Sequence, residues 1–490
     1  MDKPPTVQTA QGAISGTSES GICSFLGVPY AESTGGENRW RAPVPVEPWT
    51  GLRDSSKFGP IAPQIVGASF TLRETRHSED CLNLNVWTPS LNRNTRMPVM
   101  VWIHGGGNLG GAGSEDAFDG ARLAATGVVV VTFNYRLGAF GYLAHPLFGA
   151  NFAVLDQVAA LTWVRDNIEG MGGNPENVTI FGESAGAVAV RTLLSTPSAR
   201  GLFQRAIIQS AGFERFAFAP GWSIQRATEA ADKMFDALGT RDPRALRAIP
   251  TDELLGASHQ HSGIFPPPGQ VHTPANLVWM PVPDDKVVAL EGFPGWSDNV
   301  PVMFGCLENE ARYFIKPGGD YSFETVSRMA RALVGPGADK ALHYLTEEYD
   351  DPYAMLDRLY STAIWFEPAF ETAKRFAADG RRFYVYHFAR CSPGAKASGD
   401  LVRHSAEIRY VFGNLDIDGY EAADSHVSDL MQEAWTSFAR DGIPTTKPIG
   451  EWPAYETENP KLTWIEEDVG IVPHRADPLV QIFNSVRHLA

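Results

Sequence analysis

The stretch "IFGESAGA", residues 180–187, contains the pattern G-x-S-x-G with Ser184 at its centre. It follows "NVTIFG" (177–182), an apolar run typical of a buried strand, and overlaps "AGAVAVRTLL" (185–194), whose small and apolar residues can start a helix. A sharp strand-to-helix turn lifts a serine hydroxyl clear of the backbone, and glycines two residues to either side permit the close approach. The pattern therefore predicts a nucleophile at Ser184. The alternative is a serine in a glycine-rich turn without a catalytic role.

Near-continuous apolar runs recur along the chain, which is typical of strands covered on both faces of a mostly parallel sheet. Residues 151–168 carry apolar side chains at helical spacing. Because no Pro-, Gly- or Ser-rich stretch is long enough to separate domains, we predict a single α/β domain over residues 1–490. The predicted strands are "PVMVWI" (98–103), "GVVVVTF" (127–133), "NVTIFG" (177–182), "RAIIQS" (205–210), "VPVMFG" (300–305) and "RFYVYHF" (382–388).

The composition narrows the class of partner. With 41 basic and 57 acidic residues the formal net charge is −16, which disfavours nucleic acid or an anionic membrane surface as a partner. The first residues contain no apolar core of signal-peptide length, and no run of eighteen apolar residues occurs. A soluble cytoplasmic protein is expected, unless a leader was removed.

No Cys or Cys/His spacing indicates a zinc site or a disulfide scaffold, since the cysteines are scattered at positions 23, 81, 306 and 391.

The stretch "WIHGGGNLGG" (102–111) offers donors for an oxyanion. Its glycines follow a predicted strand and leave their N–H groups unobstructed, so Gly106 and Gly107 together with Ala185 form the expected oxyanion hole. Each such donor contributes about 3 kcal/mol to transition-state stabilisation. The alternative is a plain glycine turn.

A serine nucleophile also needs a base and an acid. His404, in "LVRHSAEIRYVFG" (401–413), is the predicted base because it follows a strand and a mobile loop late in the chain; a surface histidine is the alternative. The acid should lie between serine and histidine at the end of a strand, where "VPVMFGCLENEARYF" (300–314) offers Glu308 and Glu310. On these grounds either carboxylate could serve, and either could be a solvated loop residue.

Ordered motifs along nearly the whole chain resemble the type-B carboxylesterase family. The resemblance implies an α/β-hydrolase fold with loop and helix insertions over the active site. The family's acid motif, laid on "GCLENEA" (305–311), selects Glu310 over Glu308, although Asn309 and Ala311 depart from it. Its H-x-x-E pattern falls on His404 and Glu407. The motifs are "FLGVPYAE" (25–32), "SEDCLNLNVWTP" (78–89), "VWIHGGG" (101–107), "FNYRLGAFGYL" (133–143), "GGNPENVTIFGESAGA" (172–187), "AWTSFARDGIPT" (434–445) and "WPAY" (452–455).

Two departures from relatives concern compartment and substrate. Ala62 stands where secreted relatives have the cysteine that pairs with the one in "SEDC", so the resemblance implies an unpaired Cys81 and a reducing compartment. Choline-specific relatives place a tryptophan in the same loop to hold a quaternary ammonium through a cation–π contact. No tryptophan occurs between Pro63 and Cys81, which argues against choline esters.

The combined hypothesis is a serine carboxylesterase that acts on a small-molecule ester through an acyl-enzyme, without a metal or organic cofactor. The alternatives are an amide, carbamate or thioester hydrolase and a non-catalytic binding protein on the same fold. The pocket is expected near residues 212–222, at the carboxyl edge of the sheet, where aromatic rings would favour apolar or aromatic esters; the alternative is that the rings fill the core. The predicted pocket residues are Asn108, Phe213, Phe216, Phe218 and Trp222.

Overall fold

The computed structural model describes residues 3–65, 67, 71–213, 223–264, 276–289, 300–316, 318–319 and 321–487. The strands are β1 (Thr6–Gln8), β2 (Ala13–Ser15), β3 (Thr17–Glu19), β4 (Ile22–Pro29), β5 (Leu52–Asp54), β6 (Asn83–Thr88), β7 (Met97–Ile103), β8 (Val129–Phe133), β9 (Gly173–Glu183), β10 (Arg205–Gln209), β11 (Val302–Leu307), β12 (Phe383–Phe388), β13 (Thr445–Thr446), β14 (Gly450–Glu451), β15 (Lys461–Ile465) and β16 (Val469–Pro473).

The α-helices alternate with these strands over most of the chain. They are α1 (Ala121–Ala124), α2 (Gly138–Tyr142), α3 (Phe152–Asn167), α4 (Ala185–Leu194), α5 (Ile224–Ala237), α6 (Pro243–Ala248), α7 (Thr251–Gln260), α8 (Phe323–Val334), α9 (Ala338–Glu348), α10 (Pro352–Ser361), α11 (Glu367–Ala378), α12 (Pro393–Ser398), α13 (Ile408–Phe412), α14 (Ala422–Asp441) and α15 (Pro478–Val486).

One large sheet organises the molecule. In the described part of the chain its strand order is β16-β15-β12-β11-β10-β9-β7-β8-β6-β4-β3. Neighbours are parallel from β8 to β15 and antiparallel at both edges. The predicted large, mostly parallel sheet is therefore confirmed, and the antiparallel edges are an addition that the sequence pattern did not indicate.

The strands read as continuous apolar runs because both faces of the sheet are covered. Along β7, Val99, Val101 and Ile103 belong to one buried cluster, while Met100 and Trp102 belong to another. Alternating side chains point to opposite faces of a sheet, so the two clusters are the two cores. Helices α3 and α4 contribute to the first core, and α13 and α14 to the second.

Parallel strands bring their carboxyl ends to the same edge of the sheet. Strands β7, β9 and β11 end at Ile103, Glu183 and Leu307, and the loops that follow them carry the glycine run, Ser184 and Glu310. The fold thus gathers segments that are far apart in sequence at the edge where open α/β folds bind ligands.

Among the described helices, none has both the length and the apolar composition needed to cross a lipid bilayer.

Candidate active site

Ser184 forms the turn between β9 and α4. Its backbone lies at φ 56° and ψ −124°, a region that non-glycine residues rarely adopt and that stores strain at functional sites. The N–H of Ser184 donates to the carbonyl oxygen of Gln209 at 2.9 Å, and its own carbonyl accepts from Val188 at 3.0 Å. The residue is held on both sides and stays partly exposed while its neighbours in sequence are buried.

The glycines around Ser184 are needed because backbone passes close to them. A Cβ at Gly186 would lie 2.0 Å from the carbonyl oxygen of Ile103, and one at Gly182 would lie 2.7 Å from the same atom. Neither position has room for a side chain. The two glycines of the G-x-S-x-G pattern are therefore a packing requirement of this turn against the end of β7.

The glycine run after β7 lies against the same turn. A Cβ at Gly105 would be 3.2 Å from the Cβ of Ser184, and Gly106 and Gly107 have φ values of 101° and 62°. Within the described residues, the N–H groups of Gly106, Gly107 and Ala185 donate no hydrogen bond to another protein group. The donors that the sequence predicts for an oxyanion hole thus lie next to the turn at Ser184 and have no protein acceptor among the described residues.

His404 and Glu310 meet although they are 94 positions apart in sequence. The Nδ1 atom of His404 lies 2.6 Å from Oε2 of Glu310, and Oε1 of Glu310 accepts a hydrogen bond from the N–H of Leu307 at 2.9 Å. Both side chains are buried, with 3% and 0% relative exposure. With Glu310 ionised and His404 neutral, Nδ1–H donates to Glu310 and Nε2 keeps its lone pair. His404 and Ser184 line the same cavity.

A backbone contact joins the loops that carry the acid and the base. Asn309 and Arg403 form an isolated parallel bridge, in which the N–H of Asn309 donates to the carbonyl oxygen of Val402 at 3.0 Å. The residues next to this bridge are Glu310 and His404. The 3₁₀ turn at Glu310–Tyr313 is anchored in addition by Asp357, which accepts hydrogen bonds from Asn309 at 2.8 Å and Arg312 at 2.7 Å.

Glu308, the alternative acid, faces another histidine. Its Oε2 lies 2.7 Å from Nε2 of His387. Burial by itself would raise the pKa of Glu308, but the hydrogen bond from His387 and the nearby charges of His387 and Arg358 outweigh burial and lower that pKa. The structure therefore places Glu310, and not Glu308, against His404.

Two further buried carboxyl groups, Glu183 and Glu407, belong to the same cluster of interacting charges. Oε1 of Glu183 lies 3.0 Å from Nε2 of His404 and accepts a hydrogen bond from Ser405 at 2.7 Å. Glu407 accepts a hydrogen bond from Gln209 at 3.1 Å. Sequence reasoning gave neither residue a role, although Glu183 occupies the first x of G-x-S-x-G and Glu407 belongs to the H-x-x-E pattern.

Burial controls the protonation of this cluster. Burial raises the pKa values of Glu310, Glu183 and Glu407, and at Glu310 the hydrogen bond from the N–H of Leu307 opposes this rise by stabilising the ionised form. Burial lowers the pKa of the His404 imidazole, an effect that the Glu183 charge opposes. The surroundings favour the neutral imidazole, which is the form able to act as a base.

The cavity above Ser184 has a volume of about 1250 Å³. Phe213 lines it and packs against Phe304 with ring centroids 5.7 Å apart, so this ring belongs both to the pocket and to the core. Phe216, Phe218 and Trp222 lie outside the described residues. The apolar residues around the reaction centre are Leu109, Val188, Phe213, Leu277, Met280, Phe314, Ile364 and Trp365.

The expectation for Asn108 is corrected by the structure. Asn108 is not among the residues that line the cavity. Its Nδ2 donates to the carbonyl oxygen of Trp279 at 3.1 Å and lies 3.1 Å from Sδ of Met280, in a buried position. The backbone at Asn108 is left-handed, with φ 58°. Asn108 thus braces the wall that carries Met280, and no polar contact from it reaches the reaction centre.

The cysteines and the other possible metal ligands are dispersed. Cys81 is a buried free thiol, as the alanine at position 62 implied, and Cys23, Cys306 and Cys391 are free as well. Over the residues that the structure describes, no group of three or more His, Cys, Asp or Glu side chains is arranged to hold a metal ion.

Comparisons with known proteins extend over nearly the whole chain. A model described as the carboxylesterase family matches residues 3–477. The chain is 33% identical to the para-nitrobenzyl esterase of Bacillus subtilis (strain 168) and 31% identical to the phenmedipham hydrolase of Pseudarthrobacter oxydans, in both cases over 95% of each chain. A solved structure of PNB esterase aligns with a TM-score of 0.84 and 32% identity, covering 98% of this chain and 100% of that one.

Proposed function

The chain belongs to the carboxylesterase family, has the α/β-hydrolase fold and is a carboxylic ester hydrolase, and we propose that Ser184, His404 and Glu310 are its catalytic triad. The observation that carries this proposal is the 2.6 Å contact between His404 and Glu310, in a cavity that Ser184 also lines. The strained backbone at Ser184 supports it, because such conformations persist only where the surrounding structure enforces them.

In the proposed first step, His404 Nε2 takes the proton of the Ser184 hydroxyl while Oγ attacks the ester carbonyl carbon. The carbonyl oxygen becomes an oxyanion that accepts hydrogen bonds from the N–H groups of Gly106, Gly107 and Ala185. His404 then protonates the leaving alcohol as the tetrahedral intermediate collapses to the acyl-enzyme. In the second step His404 activates a water molecule, which releases the acid and regenerates Ser184. Glu310 orients the imidazole and stabilises its charged form.

The proposed substrates are esters with an apolar or aromatic part close to the reacting carbonyl. Support comes from the wall of the cavity around Ser184, where Val188, Phe213, Leu277 and Trp365 present apolar surface. Burial of such surface stabilises a bound ligand by about 25 cal/mol per Å² before the cost of immobilising it.

We also propose that the chain is one domain, since β3 and β16 form the two edges of the same sheet.

The test compares purified wild type with Ser184→Ala on a fluorogenic acetate ester and on the matching anilide. Ser398→Ala is the matched control, because Ser398 is an exposed serine that lines the same cavity. Ser184→Ala should lower kcat for the ester by about 10⁴-fold or more while its Tm stays near that of wild type. A fluorophosphonate probe should label Ser184 in wild type and leave the variant unlabelled.

Other outcomes would replace the proposal by a defined alternative. Faster turnover of the anilide than of the ester would make the enzyme an amidase. Absence of turnover and of labelling in a folded wild-type protein would favour a binding protein on the same fold. Full esterase activity in Ser184→Ala would remove Ser184 from the mechanism.

A further inference from the structure

Glu115 is a buried carboxylate in the wall of the active-site cavity. It follows the glycine run after β7, and its loop is fixed by an antiparallel bridge to Leu72 and by the N–H of Asp116, which donates to the carbonyl oxygen of Thr71 at 2.9 Å. Glu115 has only 9% relative exposure, and it lines the cavity. The role proposed above for Ser184, His404 and Glu310 makes no use of it.

Among the described residues, no ion pair neutralises the Glu115 carboxylate. The N–H groups of Ala112 and Thr71 face it, but no side chain in the described part of the chain donates a hydrogen bond to it or forms an ion pair with it. Burial raises the pKa of Glu115 to about 7, against the opposing effects of these N–H groups and of Arg409. A buried carboxylate that has backbone N–H groups but no oppositely charged side chain beside it is costly, so the position is unusual for a residue with only a structural role.

The arginines that line the same cavity already have carboxylate partners. Arg390 contacts Asp424 at 2.7 Å, Arg403 lies 3.5 Å from Asp400, and Arg409 lies 3.5 Å from Asp116. Arg409 is the arginine whose charge lowers the pKa of Glu115. Its guanidinium group is paired with the carboxylate of Asp116, the residue that follows Glu115 in sequence. Glu115 is left as an acceptor that faces a space large enough for a ligand.

We propose that Glu115 is a specificity residue that binds a primary or secondary ammonium group on the substrate, so that esters with a basic amine in one of their two halves are preferred. The inference rests on the proposed esterase function. An ammonium N–H donates a charge-assisted hydrogen bond to a carboxylate, and such bonds are about twice as strong as neutral ones. The net charge of −16 on the whole chain also attracts cations.

A quaternary ammonium has no N–H to donate and is not expected to be selected by Glu115. This distinction agrees with the loop between Pro63 and Cys81, which has no tryptophan to receive such a group. The proposed recognition is a directed hydrogen bond to Glu115, which separates it from cation binding on an aromatic face.

The experiment uses three butyrate esters of similar shape, made from piperidin-4-ylmethanol, cyclohexylmethanol and the N,N-dimethylpiperidinium analogue. Wild type should show a kcat/KM for the piperidine ester about tenfold or more above that for the cyclohexyl ester, since a hydrogen bond to a charged group contributes to this extent. Glu115→Gln, which keeps the shape and removes the charge, should remove this ratio. The dimethylpiperidinium ester should show a smaller preference than the piperidine ester.

The matched control is Asp418→Asn, which removes an exposed carboxylate from the same cavity wall and should leave the ratio unchanged. An equal loss in Asp418→Asn would indicate long-range charge and overturn the proposal, as would an unchanged ratio in folded Glu115→Gln. Calorimetric binding of piperidin-4-ylmethanol and cyclohexylmethanol to wild type needs no turnover. Equal affinities would overturn the proposal even if the variant failed to fold, whereas loss of ester hydrolysis alone would count only against the proposed function.

Discussion

Replacing Glu310 by glutamine keeps the shape of the side chain and removes its charge, which makes it a direct test of the proposed acid. In the structure one carboxylate oxygen accepts from the N–H of Leu307 at 2.9 Å and the other contacts Nδ1 of His404 at 2.6 Å. A glutamine oxygen can satisfy only one of these donors. If it remains with Leu307, the amide NH₂ faces His404 and forces the proton of the imidazole onto Nε2.

That tautomer cannot accept the proton of Ser184. The corresponding change in a serine protease lowers kcat by about 10⁴-fold, which equals about 5.5 kcal/mol of transition-state stabilisation. We therefore expect Glu310→Gln to lose about 10³- to 10⁴-fold in kcat on a neutral aryl acetate. Because burial destabilises the ionised form of Glu310 and raises its pKa, replacing the carboxylate by a neutral amide should not lower the Tm.

Glu308→Gln is the control, two positions earlier in the same loop. Glu308 contacts His387 rather than His404, so its replacement should change kcat by no more than about twofold. The assay is steady-state kcat and KM on protein whose active sites have been titrated, together with Tm. A Glu310→Gln enzyme that keeps kcat within about tenfold of wild type, or a larger loss in Glu308→Gln, would refute the reasoning.

Three further predictions concern packing and protonation. Gly186→Ala places a Cβ 2.0 Å from the carbonyl oxygen of Ile103 and should cost about 2 kcal/mol or more of stability. Its control, Gly256→Ala in α7, meets open space and should gain up to about 1 kcal/mol; equal Tm changes would contradict the packing argument. The kcat/KM of wild type should rise with pH around a midpoint below the ordinary imidazole pKa of about 6.5, because burial lowers the pKa of His404. A midpoint above the ordinary imidazole value of about 6.5 would contradict this account of His404. Glu407 has a raised pKa, so the folded state holds a proton that the unfolded chain releases, and stability falls as pH rises above the ordinary carboxyl value of about 4.3. The Tm of Glu407→Gln relative to wild type should therefore increase between pH 5 and pH 8, and a constant difference would oppose this assignment of the buried proton.

The sequence predicts those parts of the site in which the backbone imposes the residue type. Gly182 and Gly186 lie so close to the end of β7 that no other residue fits, which is why a five-residue pattern after an apolar run indicates the turn at Ser184. The parallel sheet is predicted for a similar reason, since strands covered on both faces must be apolar along their whole length.

Sequence reasoning fails where a role depends on contacts between distant segments. Strand position alone does not distinguish Glu310 from Glu308; the family resemblance selects Glu310, and the structure shows Glu310 in contact with His404 and Glu308 in contact with His387. Asn108 was expected at the pocket because it follows the glycine run, but its Nδ2 donates to the carbonyl oxygen of Trp279, a residue 171 positions away in sequence. Glu115 looks like any loop carboxylate until burial and the absence of a side-chain partner among the described residues are known.

The bridge between Asn309 and Arg403 holds Glu310 and His404 at a fixed distance, independently of the long segment of chain that connects them. Residues 311–402 leave the site after Glu310, form α8 to α12 and β12, and return just before His404. A backbone hydrogen bond at the bridge sets the distance between the acid and the base. The length of the connecting segment, residues 311–402, therefore does not determine this distance. The segment is therefore suited to exchange between relatives: chimeras that keep β11, β12, Asn309, Arg403 and the Asp357 that anchors the turn at Glu310 can inherit different surface helices while the acid and the base keep their mutual position.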